Sequence, residues 1–245
     1  ALKLWGGKLI LKSKLDAYDG RGNEVITDKS QIAGAIERFS GGGVYAEKIV
    51  DFQKELAVMS AKDIEGNISS YPVVETVHKR NICVEVYAPA DISPAIAHSA
   101  RETASRVVKE LEGAGVYGVE MFLDKEENVF INEIAPRVHN SGHFTMDMCE
   151  PSQFKQHILA VTGQKLETPV MRAPFCCMVN ILGERDGPVE MKGVEEAEKI
   201  PGVSVYIYGK KPTKIDRKMG HINAIGDTME TAKNKAMQAR KLISI

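Results

Sequence analysis

The chain has 245 residues, 43% of them hydrophobic and 27% charged, the balance of an ordinary globular protein and not of a disordered one. Its formal charge is -1 and its lysines and arginines are spread along the chain, which disfavours nucleic acid as a partner. No apolar run approaches the roughly 20 residues needed to cross a bilayer, which excludes a membrane-spanning helix. The four cysteines, Cys83, Cys149, Cys176 and Cys177, form no CxxC pair, and reduced structural thiols point to a cytoplasmic protein. ALKLWGGKLILKS has neither an initiator Met nor a signal-peptide layout, so the chain reads as a piece of something longer.

Leu9 to Lys12 predicts a short buried strand, followed by the turn-rich loop SKLDAYDGRGN. Val25 and Ile26 resume an extended segment. A helix from about Lys29 to Phe39 stops at Gly41, Gly42 and Gly43, and VYAEKIV reads as the next strand. ELAVMSAK, SYPVVETVH and ICVEVYAPA alternate apolar and polar residues as an antiparallel sheet with one solvated face does. From Ser93 to Leu111, the residues Ile96, Ala100, Ala104, Val107, Val108 and Leu111 recur at helical spacing behind a Ser-Pro start. VYGVEMFL and VFINEIA, joined by the charged turn DKEEN, predict a hairpin. Ser152 to Val161 predicts a helix, and the shift in composition at GQKLETPVMRAP reads as a linker. A last subdomain then follows, with strand APFCCMVNIL, helix VEEAEKI, strands VSVYIY and GHINAIG, and a closing helix from Thr228. The fold class is α+β.

The predicted hairpin puts Glu120 in one strand and Glu133 in the next, and hairpin pairing can bring two such carboxylates onto one face. Side by side they repel, and a divalent cation relieves the repulsion; magnesium is bound by one or two protein carboxylates together with substrate phosphates. Two glutamates on the solvated side of a sheet fit the same pattern. Arg137, His139, Asn140, Ser141, Gly142 and His143 follow within seven residues. Such a loop can hold an oxyanion near a metal, and it is equally an ordinary polar loop.

In YDGRGN the glycines allow backbone amides to approach a phosphate, with Arg21 adding charge; the spacing alone suits a plain turn as well. Lys12, at the end of the preceding strand, is a candidate phosphate contact. Ala46 to Val50 is a candidate edge for an adenine base and Glu55 a candidate acceptor of ribose hydroxyls, although a buried strand and a solvent-facing glutamate look the same. Lys210, Lys211, Lys214, Arg217 and Lys218 form either a solvated loop or a phosphate pocket for an anionic substrate.

LKSKLDAYDGRGN, YPVVETVHKRNIC with YAPADIS, GVEMFL, NEIAPRVHNSGHFTMDMCEPSQFKQHILAVTG, APFCCMVNILGE and IDRKMGHINAIGD together resemble the 5-(carboxyamino)imidazole ribonucleotide synthase family (PurK family) of de novo purine synthesis. The resemblance extends over essentially the whole chain. It implies the ATP-grasp fold, two α+β subdomains holding ATP between them, with a small C-terminal β-rich subdomain. The implied division is a small lobe over 1–52, a large lobe with the metal and bicarbonate site over 53–165, and the C-terminal subdomain over 166–245.

The activity implied is ATP-dependent carboxylation of 5-aminoimidazole ribonucleotide with bicarbonate through carboxyphosphate, with ATP and magnesium as cofactors. On the matching positions, Glu120 and Glu133 resemble the magnesium ligands. Lys12 with Tyr18, Asp19, Gly20 and Gly22 resembles the phosphate-holding part, and Glu47, Lys48, Val50 and Glu55 resemble the base and ribose contacts. Arg137, His139 and Asn140 resemble the bicarbonate pocket, and Lys210 and Arg217 the ribonucleotide phosphate site. Ala135 stands where many ATP-grasp relatives carry an asparagine, and this family generally has alanine there. The resemblance also implies a Rossmann-like N-terminal domain before Ala1, a homodimer when intact and, as in some eukaryotic relatives, a fused carboxylase or mutase domain downstream. The alternative is a truncated or non-catalytic nucleotide-binding module that needs its missing N-terminal domain or another chain. A formate-using relative is a third reading, against which the HNSGH run argues.

Overall fold

The computed structural model describes residues 1–15, 22–39 and 43–245. Tyr18, Asp19 and Gly20 of the predicted phosphate loop lie outside the described residues. Two compact units are formed, one of Ala1–Asp51 with Lys79–Ile82 and one of Phe52–His78 with Cys83–Ile245.

The first unit holds strands β1 (Leu9–Ser13) and β2 (Asn23–Ile26), helix α1 (Gln31–Arg38) and strand β3 (Val44–Glu47), with β1 central and antiparallel to both neighbours. Alternation along β1 turns Leu9 and Leu11 to one side, where they pack with Ile26, Ala35, Ile32 and Trp5. The β1–β3 ladder ends at the pair Ile10 and Glu47. The predicted strand VYAEKIV is therefore shorter, and Lys48 and Val50 lie beyond it.

The second unit begins with β4 (Phe52–Lys62), β5 (Ile68–Ser70), β6 (Val74–Lys79), β7 (Ile82–Ala88), helix α2 (Pro94–Glu110), β8 (Gly115–Asp124) and β9 (Val129–Ala135). A short 3-10 turn at Asn140–Gly142 leads to α3 (Thr145–Met148), β10 (Cys149–Glu150), α4 (Gln153–Val161) and β11 (Val170–Met171). The chain closes with β12 (Phe175–Leu182), α5 (Val194–Glu198), β13 (Val203–Ile207), β14 (Lys218–Gly226) and α6 (Met229–Leu242). Two expectations change. SYPVVETVH is divided into β5 and β6 around Pro72, which has no N–H to give a ladder. The predicted linker contains β11, which pairs with β10.

Among the described residues the main sheet has nine strands in the order β13-β14-β12-β7-β6-β4-β8-β9, with β5 beside β4. Helix α2 covers one face: Ile96, Ala100, Ala104 and Val108 pack on Leu56 and Val58 of β4 and on Val119, Met121 and Leu123 of β8. These four helical residues are spaced four apart, so they form one stripe. On the opposite face Phe144, Met148 and Cys149 pack against Ala57, Met59 and Ala61 of β4 and Val116 of β8. Helix α6 lays Ala232 and Ala236 on Cys177 and Val179 of β12 and Ala224 of β14. Among the described residues no helix is long and apolar enough to cross a membrane.

Two loops use one device. Asp63 accepts the backbone N–H of Glu65 and Asn67 and the side-chain amide of Asn67, and Asp124 does the same with Glu126 and Asn128. The residue before each asparagine is left-handed: Gly66 at φ 88° in the first loop, Glu127 at φ 64° in the second. A side chain with a Cβ is strained there and a glycine is not. Glu127→Gly should therefore raise stability by up to about 1 kcal/mol, read as a higher urea midpoint. A lower midpoint would show that the Glu127 side chain contributes more than the strain costs.

Candidate active site

Counting back from the DKEEN turn without a break would pair Glu120 with Asn132. The hairpin instead runs Leu123 opposite Val129, Phe122 opposite Phe130 and Met121 opposite Ile131, then shifts so that Glu120 faces Glu133 and Val119 faces Ile134. Asn132 is the extra residue of a β-bulge. In the unbroken register Glu133 would face Val119 on the α2 side, because a slip of one residue turns each later side chain to the other face. With the bulge, both carboxylates share the face opposite α2.

The Glu120 side chain is only 13% exposed, whereas Glu133 is exposed. Burial, and then the charge of Glu133, pushes the Glu120 carboxyl up to about 7, while His78 and Lys218 pull in the other direction. Two adjacent carboxylates are hard oxygen donors. They fit a magnesium ion whose remaining positions are filled by phosphate oxygens and water.

The segment after β9 crosses this same face. Gly118 in β8 makes room for it: a Cβ there would stand 2.7 Å from the Cβ of His139. Gln153, wholly buried at the start of α4, then clamps it. Its Oε1 accepts the His139 N–H at 3.0 Å, and its Nε2 donates to the His139 carbonyl at 2.8 Å and lies 2.9 Å from His143 Nδ1. Neither Gly118 nor Gln153 was marked by the sequence reading. A glycine within the otherwise β-favouring run VYGVEMFL was a usable signal for the first, whereas a glutamine in the first turn of a helix gave none.

His139 Nδ1 lies 2.8 Å from the Ser141 hydroxyl and receives the Ser141 N–H at 3.4 Å. The Ser141 backbone N–H can only donate, so Nδ1 is the acceptor, the ring proton sits on Nε2, and the Ser141 hydroxyl donates to Nδ1 in turn. Burial, followed by Arg137 and Lys218, drives the His139 pKa down to about 3. The 3.7 Å separation between His139 Nδ1 and Glu120 Oε1 is thus the approach of a neutral ring to a carboxylate and not an ion pair. Burial, then Lys218 and Lys210, lowers His143 to about 4. Asn140 forms a reciprocal amide pair with Asn180 of β12 at 2.9 and 2.7 Å, and Asn180 also donates to the Cys83 carbonyl. Arg137 is exposed, and its guanidinium donates to the Val138 carbonyl at 3.0 Å.

Elsewhere on the unit, Glu55 of β4 forms an ion pair with His78 of β6. Burial works against charge on His78, yet the Glu55 carboxylate prevails and leaves the imidazole pKa above its ordinary value. His78 was not among the predicted site residues; its signal was a histidine inside the alternating strand VETVHK. Lys210 donates to the Lys218 carbonyl at 2.9 Å and lies 5.1 Å above the Tyr208 ring. Arg217 donates to the Pro212 carbonyl at 2.7 Å, within the β13–β14 connection. In the first unit, the nearly buried Lys12 pairs with Glu47 at 2.7 Å. The Gly22 carbonyl accepts the Ser13 N–H at 2.8 Å, Lys48 is exposed and Val50 is half-buried.

Residues 1–154 match the ATP-grasp domain, and the chain belongs to the ATP-grasp family. Residues 176–235 match the phosphoribosylaminoimidazole carboxylase C-terminal domain. The chain is 45% identical over 232 residues to phosphoribosylaminoimidazole carboxylase of Ogataea methanolica, covering 92% of this chain and 42% of the relative. It is 40% identical over 214 residues to N5-carboxyaminoimidazole ribonucleotide synthase of Bacillus subtilis, covering 87% of this chain and 55% of the relative. The crystal structure of N5-carboxyaminoimidazole synthase from Aspergillus clavatus, in complex with ADP and 5-aminoimidazole ribonucleotide, matches with a TM-score of 0.87 at 37% identity, covering 98% of this chain and 63% of that one. The chain thus carries the ATP-grasp and C-terminal parts of such proteins and spans less than two thirds of their length.

Gln153→Met keeps the bulk of the side chain and removes the clamp, leaving the His139 N–H and carbonyl without their partners. Stability should fall by about 2–3 kcal/mol in urea unfolding. A loss well under 1 kcal/mol would mean that the His139 segment is held by other contacts.

Proposed function

We propose that this chain performs the ATP-dependent carboxylation of 5-aminoimidazole ribonucleotide with bicarbonate, through carboxyphosphate. The observation that carries the reading is the pairing of Glu120 with Glu133 on the sheet face crossed by His139 and Asn140. It is supported by the Aspergillus relative, whose solved complex holds ADP and 5-aminoimidazole ribonucleotide.

In this reading Glu120 and Glu133 hold magnesium, which when bound spreads the charge of the transferred phosphate. Lys12 with Tyr18, Asp19, Gly20 and Gly22 contacts the ATP phosphates; Glu47, Lys48, Val50 and Glu55 contact base and ribose, with His78 fixing the Glu55 carboxylate. Bicarbonate is bound by Arg137 and by the Nε2–H of His139. A neutral imidazole held in one tautomer is suited to this task, because it donates a hydrogen bond without offering the anion an acidic proton to take. Asn140, the next residue along and paired with Asn180, completes the bicarbonate pocket. Lys210 and Arg217 bind the ribonucleotide phosphate, and the charges of Arg137, Lys210 and Lys218 lower the cost of bringing two anions together. The residues divide by role into a small lobe over 1–52, a large lobe over 53–165 and a C-terminal part over 166–245, in a cytoplasmic protein that is a homodimer when intact.

The test is ADP release by the protein with ATP, magnesium and bicarbonate, with and without 5-aminoimidazole ribonucleotide. Stimulation by the ribonucleotide is the expected outcome; nucleotide binding without turnover would instead make the chain a non-catalytic nucleotide-binding module. Glu133→Gln removes the charge of one metal ligand and should lower magnesium-dependent ADP release by about a hundredfold or more, whereas normal turnover would refute the metal assignment. Lys210→Ala should raise the KM for the ribonucleotide roughly tenfold or more and leave bicarbonate-dependent ATP hydrolysis without ribonucleotide nearly intact. The reverse pattern would remove Lys210 from the phosphate site.

A further inference from the structure

The loop that follows β9 is fastened at both ends. Gln153 of α4 holds the two backbone groups of His139 at its start. At its end, Asn223 of β14 donates from Nδ2 to the His143 carbonyl at 3.0 Å, and the same nitrogen donates to Asp147 Oδ2 at 2.6 Å. Asp147, in the short helix α3, is held in turn by β13, where the Ser204 and Tyr206 hydroxyls donate to its Oδ1 at 2.7 and 3.1 Å. The His143 ring stacks on His221 of β14 with centroids 4.7 Å apart. Two residues of one strand, two positions apart and so on one face, therefore meet the same histidine.

Asn223 is 1% exposed and stands between Met178 and Ser204 on the two neighbouring strands. Its Oδ1 is buried and has no hydrogen-bond partner among the described residues. Turning the amide over would set that oxygen against a carbonyl and a carboxylate, both of which only accept. One oxygen is thus left unpaired so that the nitrogen can serve two acceptors. The adjacent strand residues Ile222 and Ala224 are buried and apolar, and a leucine at 223 would avoid the cost of the unpaired oxygen; the contact across to the loop accounts for an asparagine. That contact reaches the site residues through a tight turn. The His143 carbonyl also accepts the Met146 N–H at 3.1 Å, the His143 N–H donates to the Asn140 carbonyl at 3.1 Å, and the Gly142 N–H donates to the His139 carbonyl at 3.0 Å. A shift of His143 is therefore carried to both Asn140 and His139.

We infer that Asn223, oriented by Asp147, is a positioning residue for the bicarbonate site: by holding the His143 carbonyl on β14 it fixes the far end of the turn that carries His139 and Asn140. This rests on the reading of that loop as the bicarbonate pocket. Asn223 itself touches no reacting atom in this scheme. The C-terminal part then serves the carboxylating site as the support on which the loop is shaped, besides supplying Lys210.

The test uses Asn223→Leu, a change that keeps the bulk and removes the donor, in the full-length protein. The KM for bicarbonate should rise about fivefold, the equivalent of one net hydrogen bond, with the KM for ATP within about twofold of its starting value. Ala236→Gly, which weakens α6 away from the loop, is the control: it should lower the urea midpoint and leave the bicarbonate KM within about twofold. Independently of turnover, hydrogen exchange of the Gly142 and His143 amides, followed by NMR, should quicken about fivefold or more in Asn223→Leu while amides of α2 stay unchanged. Asn223→Ala, which cannot overpack, is read in the same way if Asn223→Leu does not fold. An unchanged bicarbonate KM, or an equal rise in Ala236→Gly, would overturn the inference. Unchanged exchange at Gly142 and His143 would do so even if the protein proved to use another acid substrate. Absence of bicarbonate dependence in the unmodified protein would instead overturn the functional reading.

Discussion

The site depends on one extra residue in one strand. Side chains of a strand alternate with a strict period of two, so the face on which Glu133 appears is decided by how many residues separate it from the turn. Asn132 adds one to that number, and the pairing of Glu120 with Glu133 follows. The same shift leaves Val129 and Ile134 packed on the α2 side, so hydrophobic burial on one face and the carboxylate pair on the other enforce a single register. The core that α2 covers thus acts as the ruler by which the acids are aligned.

Around this pair, burial serves opposite ends for different groups. It raises the carboxyl of Glu120, where a cation would restore the charged form, and it keeps His139, His143 and His221 uncharged. Neutral imidazoles can then be stacked and hydrogen-bonded in fixed tautomers close to the positive charges of Lys210 and Lys218, where protonated rings would repel them. The Gln153 carboxamide satisfies both backbone groups of His139 at once. A bend of the main chain is thereby carried through the protein interior without leaving polar groups unpaired.

The elements were largely legible in the sequence. α2 was visible because Ile96, Ala100, Ala104 and Val108 are spaced for one helical face, and β8 and β9 because VYGVEMFL and VFINEIA flank a polar turn. The pairing of the two acids was legible as an outcome, but its cause was not: period-two counting from DKEEN gives the wrong partner, and a bulge leaves no compositional mark beyond one additional polar residue. SYPVVETVH read as one strand because its apolar pattern continues through Pro72, while the missing N–H of that residue interrupts the ladder. Contacts between residues distant in sequence lay further out of reach. Gln153 with His139 and His78 with Glu55 are made by chain topology and not by local pattern, so no reading of a window could join them.

That topology also shapes how the molecule must be made. Residues Cys176–Val179 of β12 hydrogen-bond to Glu85–Ala88 of β7, and no intervening strand can substitute for them. Until β12 has been synthesised, β7 is an open edge with a row of unsatisfied N–H and C=O groups, flanked by the apolar residues Val86 and Ala88 that end up fully buried. A nascent chain that has reached only the site loop therefore displays the kind of border along which sheets of separate molecules join, and it must wait for a closure of high contact order to hide it. The order in which the strands are delivered, as much as their final energies, sets the period during which the protein is exposed to aggregation.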